Sequence, residues 1–444
     1  MAVAERARDA AATLRNRGVQ GVALTYVDNA GITRVKTVPV GRLEKAVTVG
    51  VGMSPVFDVF CFDDSITASK DSGGPDGDLR LRPDLERLAV LAAQPGWAWA
   101  PVDRYQQDGA EHPGCSRLFL RRMVRRLADR GLEARAGIEI EWGVGKARED
   151  GEFEPACTGP AYGMTSVVEL SDYGRDILAT LAEQAINVDQ LHPEYAPGQF
   201  ELSIAATDPL AAADLNVLVR QTIRAVGRRH DIATSFAPVV VAGGVGNGAH
   251  LHFSLWRDGR NLFAGGPGAA GLTETGESFL AGVLAGLPAL VGVGAPSVAS
   301  YLRMAPSQWA GVFRCWGVEN REAALRFIPG SAGPASANAE LKCIDPSANP
   351  YLAIGSVLAL GLSSMDSGLA LPEPVAGDPV RLEGVERLPQ TLPDAVGHLQ
   401  GSDVLREAMG DRLLDAFLAV RTAEYASLGA KSPEEIVAAT RWRY

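Results

Sequence analysis

The sequence predicts an α+β protein, in which strand-like and helical stretches share one chain without regular alternation. Three observations carry this. Residues 19–40, VQGVALTYVDNAGITRVKTVPV, alternate apolar side chains at Val22, Leu24 and Tyr26, turn at Asn29-Ala30-Gly31 and return from Ile32 to Val40, the pattern of a β-hairpin. Later runs place polar residues two apart among apolar ones, as strands do. Helical periodicity appears over 2–17, from 116 onward, and near 173–187, 209–229, 275–290, 348–362 and 403–427.

Taken in order, residues 2–17 hold no Gly or Pro and read as a helix, followed by the hairpin. Residues 70–80, KDSGGPDGDLR, form a polar Gly-rich loop, and 104–115 are polar again. A division there gives a β-rich N-terminal domain over 1–110 and a larger domain over 111–444. The helix from Ser116 stops at Gly131. It carries five arginines before Asp129, which a solvated helix face explains more simply than an anion site. Residues 370–394 are Pro-rich and irregular, and no internal repeat appears at periods of 20–50 residues.

Composition narrows the function. Across 444 residues, 42 Lys and Arg face 53 Asp and Glu, a net charge of −11. That balance argues against nucleic acid as main partner and against an anionic membrane surface. The 46% hydrophobic content is too high for a disordered chain. Cys61, Cys115, Cys157, Cys315 and Cys343 are odd in number and lack a Cys-x-x-Cys pair, so a reducing compartment is expected. The opening MAVAERARDA carries charge where a signal peptide needs an apolar stretch. No membrane-spanning helix is expected, and the reading is a soluble cytoplasmic protein.

Chemistry concentrates in four short runs. Glu139 and Glu141 share one strand face while Ile138, Ile140 and Trp142 take the other. His250, His252 and Ser254 align in the same way, as do Glu340 and Lys342. In the fourth run, His192 to Leu202, a Pro-Gly turn separates Glu194 from Glu201. A solvent-facing sheet side is one reading. Such a side usually mixes Lys, Thr, Ser and Arg, whereas these faces carry carboxylate and imidazole. Five crowded carboxylates repel one another, and divalent cations would remove that penalty. Oxygen donors with one imidazole suit Mg²⁺ or Mn²⁺ better than Zn²⁺. Arg303, Arg321 and Arg326 supply guanidinium forks suited to phosphate or carboxylate. Carboxylates, divalent metals and arginines together suit phosphoryl transfer. The stretch 243–248 is Gly-rich but lacks the Gly-Lys-Ser/Thr of a Walker loop.

These residues resemble the glutamine synthetase family, in its bacterial type I-like branch, over the whole chain. The matching pieces stand in family order: Gly-x-Glu-x-Glu at 137–141, Glu-x-x-Pro-Gly-Gln-x-Glu at 194–201, Gly-x-Gly-x-His-x-His at 246–252, Ser-Tyr-x-Arg at 300–303, Asn-Arg at 320–321, Glu-x-Lys at 340–342 and Asp-Pro-Ser-Ala-Asn-Pro-Tyr-Leu at 345–352. The resemblance implies an N-terminal β-grasp domain and a catalytic domain with a funnel of antiparallel strands flanked by helices. It also implies a homo-oligomeric ring, usually a dodecamer, and use of ATP with two or three Mg²⁺ or Mn²⁺ ions per site. Carried over by motif, Glu141, Glu194 and Glu201 would hold one metal, and Glu139, His250 and Glu340 another. His252, Ser254, Arg321 and Arg326 would contact the nucleotide. Gly246, Arg303 and Lys342 would contact glutamate. Arg303, Arg321, Trp309 and Lys342 form the expected catalytic group.

The chain departs from glutamine-forming members at the flap. The family glutamate six residues after the Ser-Tyr-x-Arg arginine is replaced by Trp309. Trp accepts no proton and offers no anion to hold ammonium, but it packs on a larger amine. This resembles the subgroup joining glutamate to organic amines, including γ-glutamyl-polyamine and γ-glutamyl-ethanolamide synthetases. Lys342 replaces an Arg and Val245 an Asn, and both changes bear on how the acid substrate is held. Asp63 and Asp64 lie near where the family's N-terminal domain supplies an amine-site Asp to a neighbouring subunit. The expected activity is an ATP-dependent ligase forming a γ-glutamyl amide from glutamate and an organic amine. The alternatives are an ordinary glutamine synthetase using ammonia and a non-catalytic ring-forming relative.

Overall fold

The computed structural model describes residues 3–74, 76–147, 151–365 and 368–444. The predicted hairpin forms from β1 (Gly21–Val27) and β2 (Thr33–Pro39). Val22, Leu24 and Tyr26 point inward, as their alternation requires. The Asp28 carboxylate closes the turn by accepting the N–H groups of Ala30 and Ile32, both at 2.9 Å. Gly31 has a φ of +80°, and a side chain there would collide with the Ser347 carbonyl. With β3 (Val51–Met53), β4 (Leu79–Pro83), β5 (Ala89–Val90) and β6 (Trp97–Tyr105) the hairpin builds a sheet of order β2-β1-β6-β4-β3, with β5 also on β6. Helix Val3–Asn16 packs Ala7, Ala11 and Leu14 into its core.

A second sheet follows. Its strands are β7 (Glu133–Ala147), β8 (Phe153–Pro155), β9 (Val188–Pro193), β10 (Gln199–Ile204), β11 (Ala233–Ser235), β12 (Ala249–Arg257), β13 (Arg260–Asn261), β14 (Phe313–Val318), β15 (Ala323–Ile328) and β16 (Asn338–Leu341). The main order is β14-β15-β16-β12-β7-β10-β9, antiparallel except at β14–β15. Helices Ser116–Ala128, Pro209–Arg229, Glu274–Gly294 and Pro350–Ser364 share one apolar core with it.

Two expectations need correction. The arginines of Ser116–Ala128 are not all solvated: Arg117 is buried and pairs with Asp84, Asp103 and Asp214, each at 2.8 Å, while Arg121 joins Asp84 and Asp103. Asp103 comes from β6, Asp84 from the turn after β4 and Asp214 from helix Pro209–Arg229, a convergence no local pattern reveals. The single helix expected over 403–427 is two, Asp403–Met409 and Asp411–Leu428, broken at Gly410 with a φ of +80°. Helix Glu274–Gly294 is long and apolar enough to cross a membrane by length and composition alone. Of its most apolar window, 83% is buried inside the protein, which marks a core helix.

A second junction between the sheets is built on Arg421. This fully buried side chain donates to the carbonyls of Asn29 and Pro296 and pairs with Glu424 at 3.1 Å. Glu424 in turn accepts the Phe62 N–H at 2.8 Å. Burial pushes the Glu424 carboxyl up from 4.5 to about 7, against the pull of Arg421.

Two outcomes are expected. Arg117→Ala leaves three carboxylates facing an empty site, and urea unfolding should show a loss of about 3–5 kcal/mol. Glu424 binds its proton more tightly folded than unfolded. Its stabilising contribution is therefore present below pH 4.5 and lost as pH rises through about 7. Glu424→Gln, which keeps an acceptor for Phe62, should flatten that part of the stability–pH curve.

Candidate active site

Strand register assembles the site. His250 of β12 lies opposite Glu139 of β7, and Glu139 lies opposite Ser203 of β10. One step along β7, Glu141 is opposite Glu201, which is opposite His192 of β9. On the other flank, His252 is opposite Glu340 of β16, which is opposite Arg326 of β15. Side chains that face each other across a ladder share one side of the sheet. The i, i+2 runs read from the sequence thus become one patch, which lines a cavity of about 600 Å³.

Every expected site residue except Ser254 lines this cavity: Glu139, Glu141, Glu194, Glu201, Gly246, His250, His252, Arg303, Trp309, Arg321, Arg326, Glu340 and Lys342. Ser254 lines an adjoining cavity of about 280 Å³, which shares Glu139, Gln190 and His252 with the first. Trp256 donates to the Ser254 hydroxyl at 2.8 Å, and Arg135 lies over the Trp256 ring at 3.9 Å.

The acidic groups crowd. His250 Nδ1 lies 3.3 Å from Glu139 and 3.6 Å from Glu340, while its Nε2 is 3.7 Å from Glu141. His252 Nε2 is 3.2 Å from Glu139. Ligand atoms converge in three overlapping groups: Glu139, Glu201 and His250; Glu139, His252 and Glu340; and His192, Glu194 and Glu201. Burial opposes charge on Glu139, yet His250 and His252 hold it ionised well below the usual carboxylate range. Burial, with Glu141 and Glu201 adding their repulsion, pushes Glu194 up to about 7. Glu201 is raised for the same reasons. Buried oxygen donors that repel one another beside imidazoles fit hard divalent cations.

Other contacts fix the lining. Glu141 accepts the Gly248 N–H at 2.8 Å and a bond from Gln199 at 3.1 Å. Gln199 also donates to the Gly246 carbonyl and to Asn247. A side chain at Gly246 would strike the Pro238 carbonyl and the Arg303 methylene stem, so only glycine lets the loop pack this closely on Arg303. Arg303 is buried, donates to the Lys342 carbonyl at 3.2 Å, and leaves its Nη1 without a hydrogen-bond partner among the described residues. Lys342 and Arg326 each reach Glu340 at 3.0 Å. Burial works against the Glu340 charge, but Lys342 and both histidines bring its carboxyl to about 2. Arg321 is exposed at the cavity wall. Trp309, 45% exposed, meets Tyr195 edge to face at 5.8 Å. Asp63 and Asp64 do not line this cavity, and Asp64 pairs with Arg34 at 2.6 Å.

Sequence reasoning left several lining residues without a role. His192 and Gln199 stand inside the 192–202 run, and the spacing of Gln199 two residues before Glu201 was the available signal, while His192 meets Glu201 only through the β9–β10 register. Gln190 stands two residues before His192 on β9, whereas Tyr162 and Gln308 lie on no strand.

Comparison with known proteins places this arrangement. A model of the glutamine synthetase catalytic domain matches residues 113–437, and one of the glutamine synthetase N-terminal domain matches 6–115. A gamma-glutamylpolyamine synthetase of Streptomyces coelicolor is 55% identical, covering 99% of this chain and 97% of its own. A glutamine synthetase of Halobacterium salinarum is 31% identical over 94% and 92%. Among solved structures, a glutamine synthase homolog superposes with a TM-score of 0.87 at 32% identity, covering 96% of this chain and 99% of its own. Fold and site define a carbon–nitrogen ligase built from an N-terminal and a catalytic domain. The chain belongs to the glutamine synthetase family. Enzymes of this family use ATP and divalent metal ions, and the carboxylate–imidazole groups here are able to bind such ions.

Mn²⁺ should raise the thermal unfolding midpoint of the wild type, equivalent to about 2.7 kcal/mol at a hundredfold excess over Kd. Glu141→Ala should blunt that rise and abolish ATP turnover while assembly size by light scattering stays unchanged. Normal activity in this variant would overturn the metal assignment.

Proposed function

We propose that the protein joins glutamate to an organic amine, of polyamine type, as a γ-glutamyl amide at the expense of ATP. The γ-carboxylate of glutamate takes the terminal phosphoryl group of ATP, and the amine then displaces phosphate from γ-glutamyl phosphate. Glu141, Glu194 and Glu201 are proposed to hold one Mg²⁺ or Mn²⁺, and Glu139, His250 and Glu340 another, with a third ion admitted when nucleotide binds. The ions, when present, neutralise phosphate charge. Arg303, with its unpartnered Nη1, takes the α-carboxylate of glutamate beside the Gly246 loop. Arg321, Arg326 and Lys342 face the phosphoryl group as charge develops. His252 and Ser254 line the route into the adjoining cavity, where the rest of the nucleotide is placed.

The observation that carries the amine assignment is the uncharged aromatic wall of Trp309 and Tyr195 on the same cavity as Glu194. An organic ammonium gains from aromatic faces, whereas bare ammonium needs an anion at that point. The similarity to the gamma-glutamylpolyamine synthetase of Streptomyces coelicolor supports the same class. We further propose domains over 1–110 and 111–444 and a ring-shaped homo-oligomer, a dodecamer by family habit. Five free cysteines fit a cytoplasmic location.

Phosphate release from ATP should be measured with glutamate plus ammonium, ethanolamine, putrescine, spermine or an aromatic amine. Putrescine or spermine should give the highest kcat/KM. Ammonium matching the best organic amine would overturn the proposal in favour of an ordinary glutamine synthetase.

A further inference from the structure

The 304–312 loop, which carries the aromatic wall, is held in a conformation its residues do not adopt freely. Ser307 and Trp309 both sit at positive φ, 60° and 52°, a region disfavoured for residues with a Cβ. Their backbone N–H groups converge on one carboxylate. Trp309 donates to Glu322 Oε1 at 2.9 Å, and Ser307 donates to Oε2 at 3.2 Å. Bonds to an ionised acceptor are the stronger kind, and two of them fix a direction as well as a distance.

Glu322 lies in the turn between β14 and β15, half-buried, and does not line the cavity. The turn is itself anchored from behind. Asn320 donates to the carbonyls of Val375 and Gly377, both at 2.9 Å, and its Oδ1 accepts the Glu322 N–H at 3.1 Å. The chain of contacts thus runs from the 375–377 segment through Asn320 and Glu322 to the backbone of Trp309. A carboxylate is the side chain that supplies two acceptors here. A glutamine offers only one, with an amide donor facing the second N–H.

We infer that Glu322 is a positioning residue for amine selection: it latches the Trp309 loop and so sets the shape of the amine-side wall. It touches no reacting atom and acts through Trp309. The selectivity part rests on the proposed amine ligase activity. The latch itself rests on the geometry alone.

Two measurements on the full-length protein test it. In hydrogen exchange, the peptide spanning 304–312 should exchange about tenfold faster in Glu322→Ala than in wild type, with Glu322→Gln in between. In steady-state kinetics, Glu322→Ala should raise the KM for putrescine and spermine about tenfold while the KM values for ATP and glutamate move less than about twofold. Adding Trp309→Ala to Glu322→Ala should cause little further change, because both act on one wall. Unchanged exchange in the 304–312 peptide, or a parallel rise in all three KM values, would overturn the inference. If the wild type uses ammonium as well as any organic amine, the proposed function falls, and the exchange measurement still judges the latch.

Discussion

Like-charge crowding on one face of the central sheet is the constraint on which the rest of the molecule depends. The pairing Glu141–Glu201, with Glu139 two residues along β7, crowds carboxylates where burial makes each charge more costly. A one-residue slip of β10 or β12 would turn the acids into the apolar core and the apolar residues into the cavity. The buried side chains of Phe200 and Leu202 on β10 and of Leu251 and Phe253 on β12 forbid that slip. Core packing on one side of the sheet therefore enforces electrostatic tension on the other. The raised carboxyls of Glu194 and Glu201 express this tension.

The remaining architecture keeps the strained face in place. The cation side of the cavity is itself pinned by anions: Lys342 and Arg326 both lean on Glu340, and Arg303 on the Lys342 carbonyl. Such pairing fixes side chains that would otherwise pay rotamer entropy on meeting a ligand. Behind the sheet, Arg117 and Arg421 tie the N-terminal sheet to the catalytic helices through buried polar contacts. Partnered in this way, buried arginines resist removal more than they add net stability.

Much of this was legible in the amino-acid order, because it depends on local periodicity. Alternation marked β1, β7, β12 and β16, and the long helices such as Pro209–Arg229 announced themselves by their apolar spacing. The cavity-facing acids were recognisable because glutamates two apart have one shared direction on a strand. What escaped depends on contacts distant in sequence. Nothing near Arg117 says that Asp84, Asp103 and Asp214 surround it. His192 became a neighbour of Glu201 only through the β9–β10 register. Gly410 was one glycine among many until its positive φ split a helix.

The replacement of a family glutamate by Trp309 also has to be consistent with the charge already present. The cavity holds five glutamates and the cations that answer them. A sixth carboxylate at the rim would suit a small ammonium ion that must be captured from water and relieved of a proton. A long organic amine brings its own apolar methylene groups, which gain from contact with an indole and a phenol ring. It also brings further ammonium groups, for which the acidic interior supplies long-range attraction. On the proposed function, exchanging charge for aromatic surface at this position would shift recognition from the reacting nitrogen to the rest of the amine. That shift demands a wall of fixed shape, since packing selectivity, unlike ionic attraction, vanishes when the surface moves by an ångström.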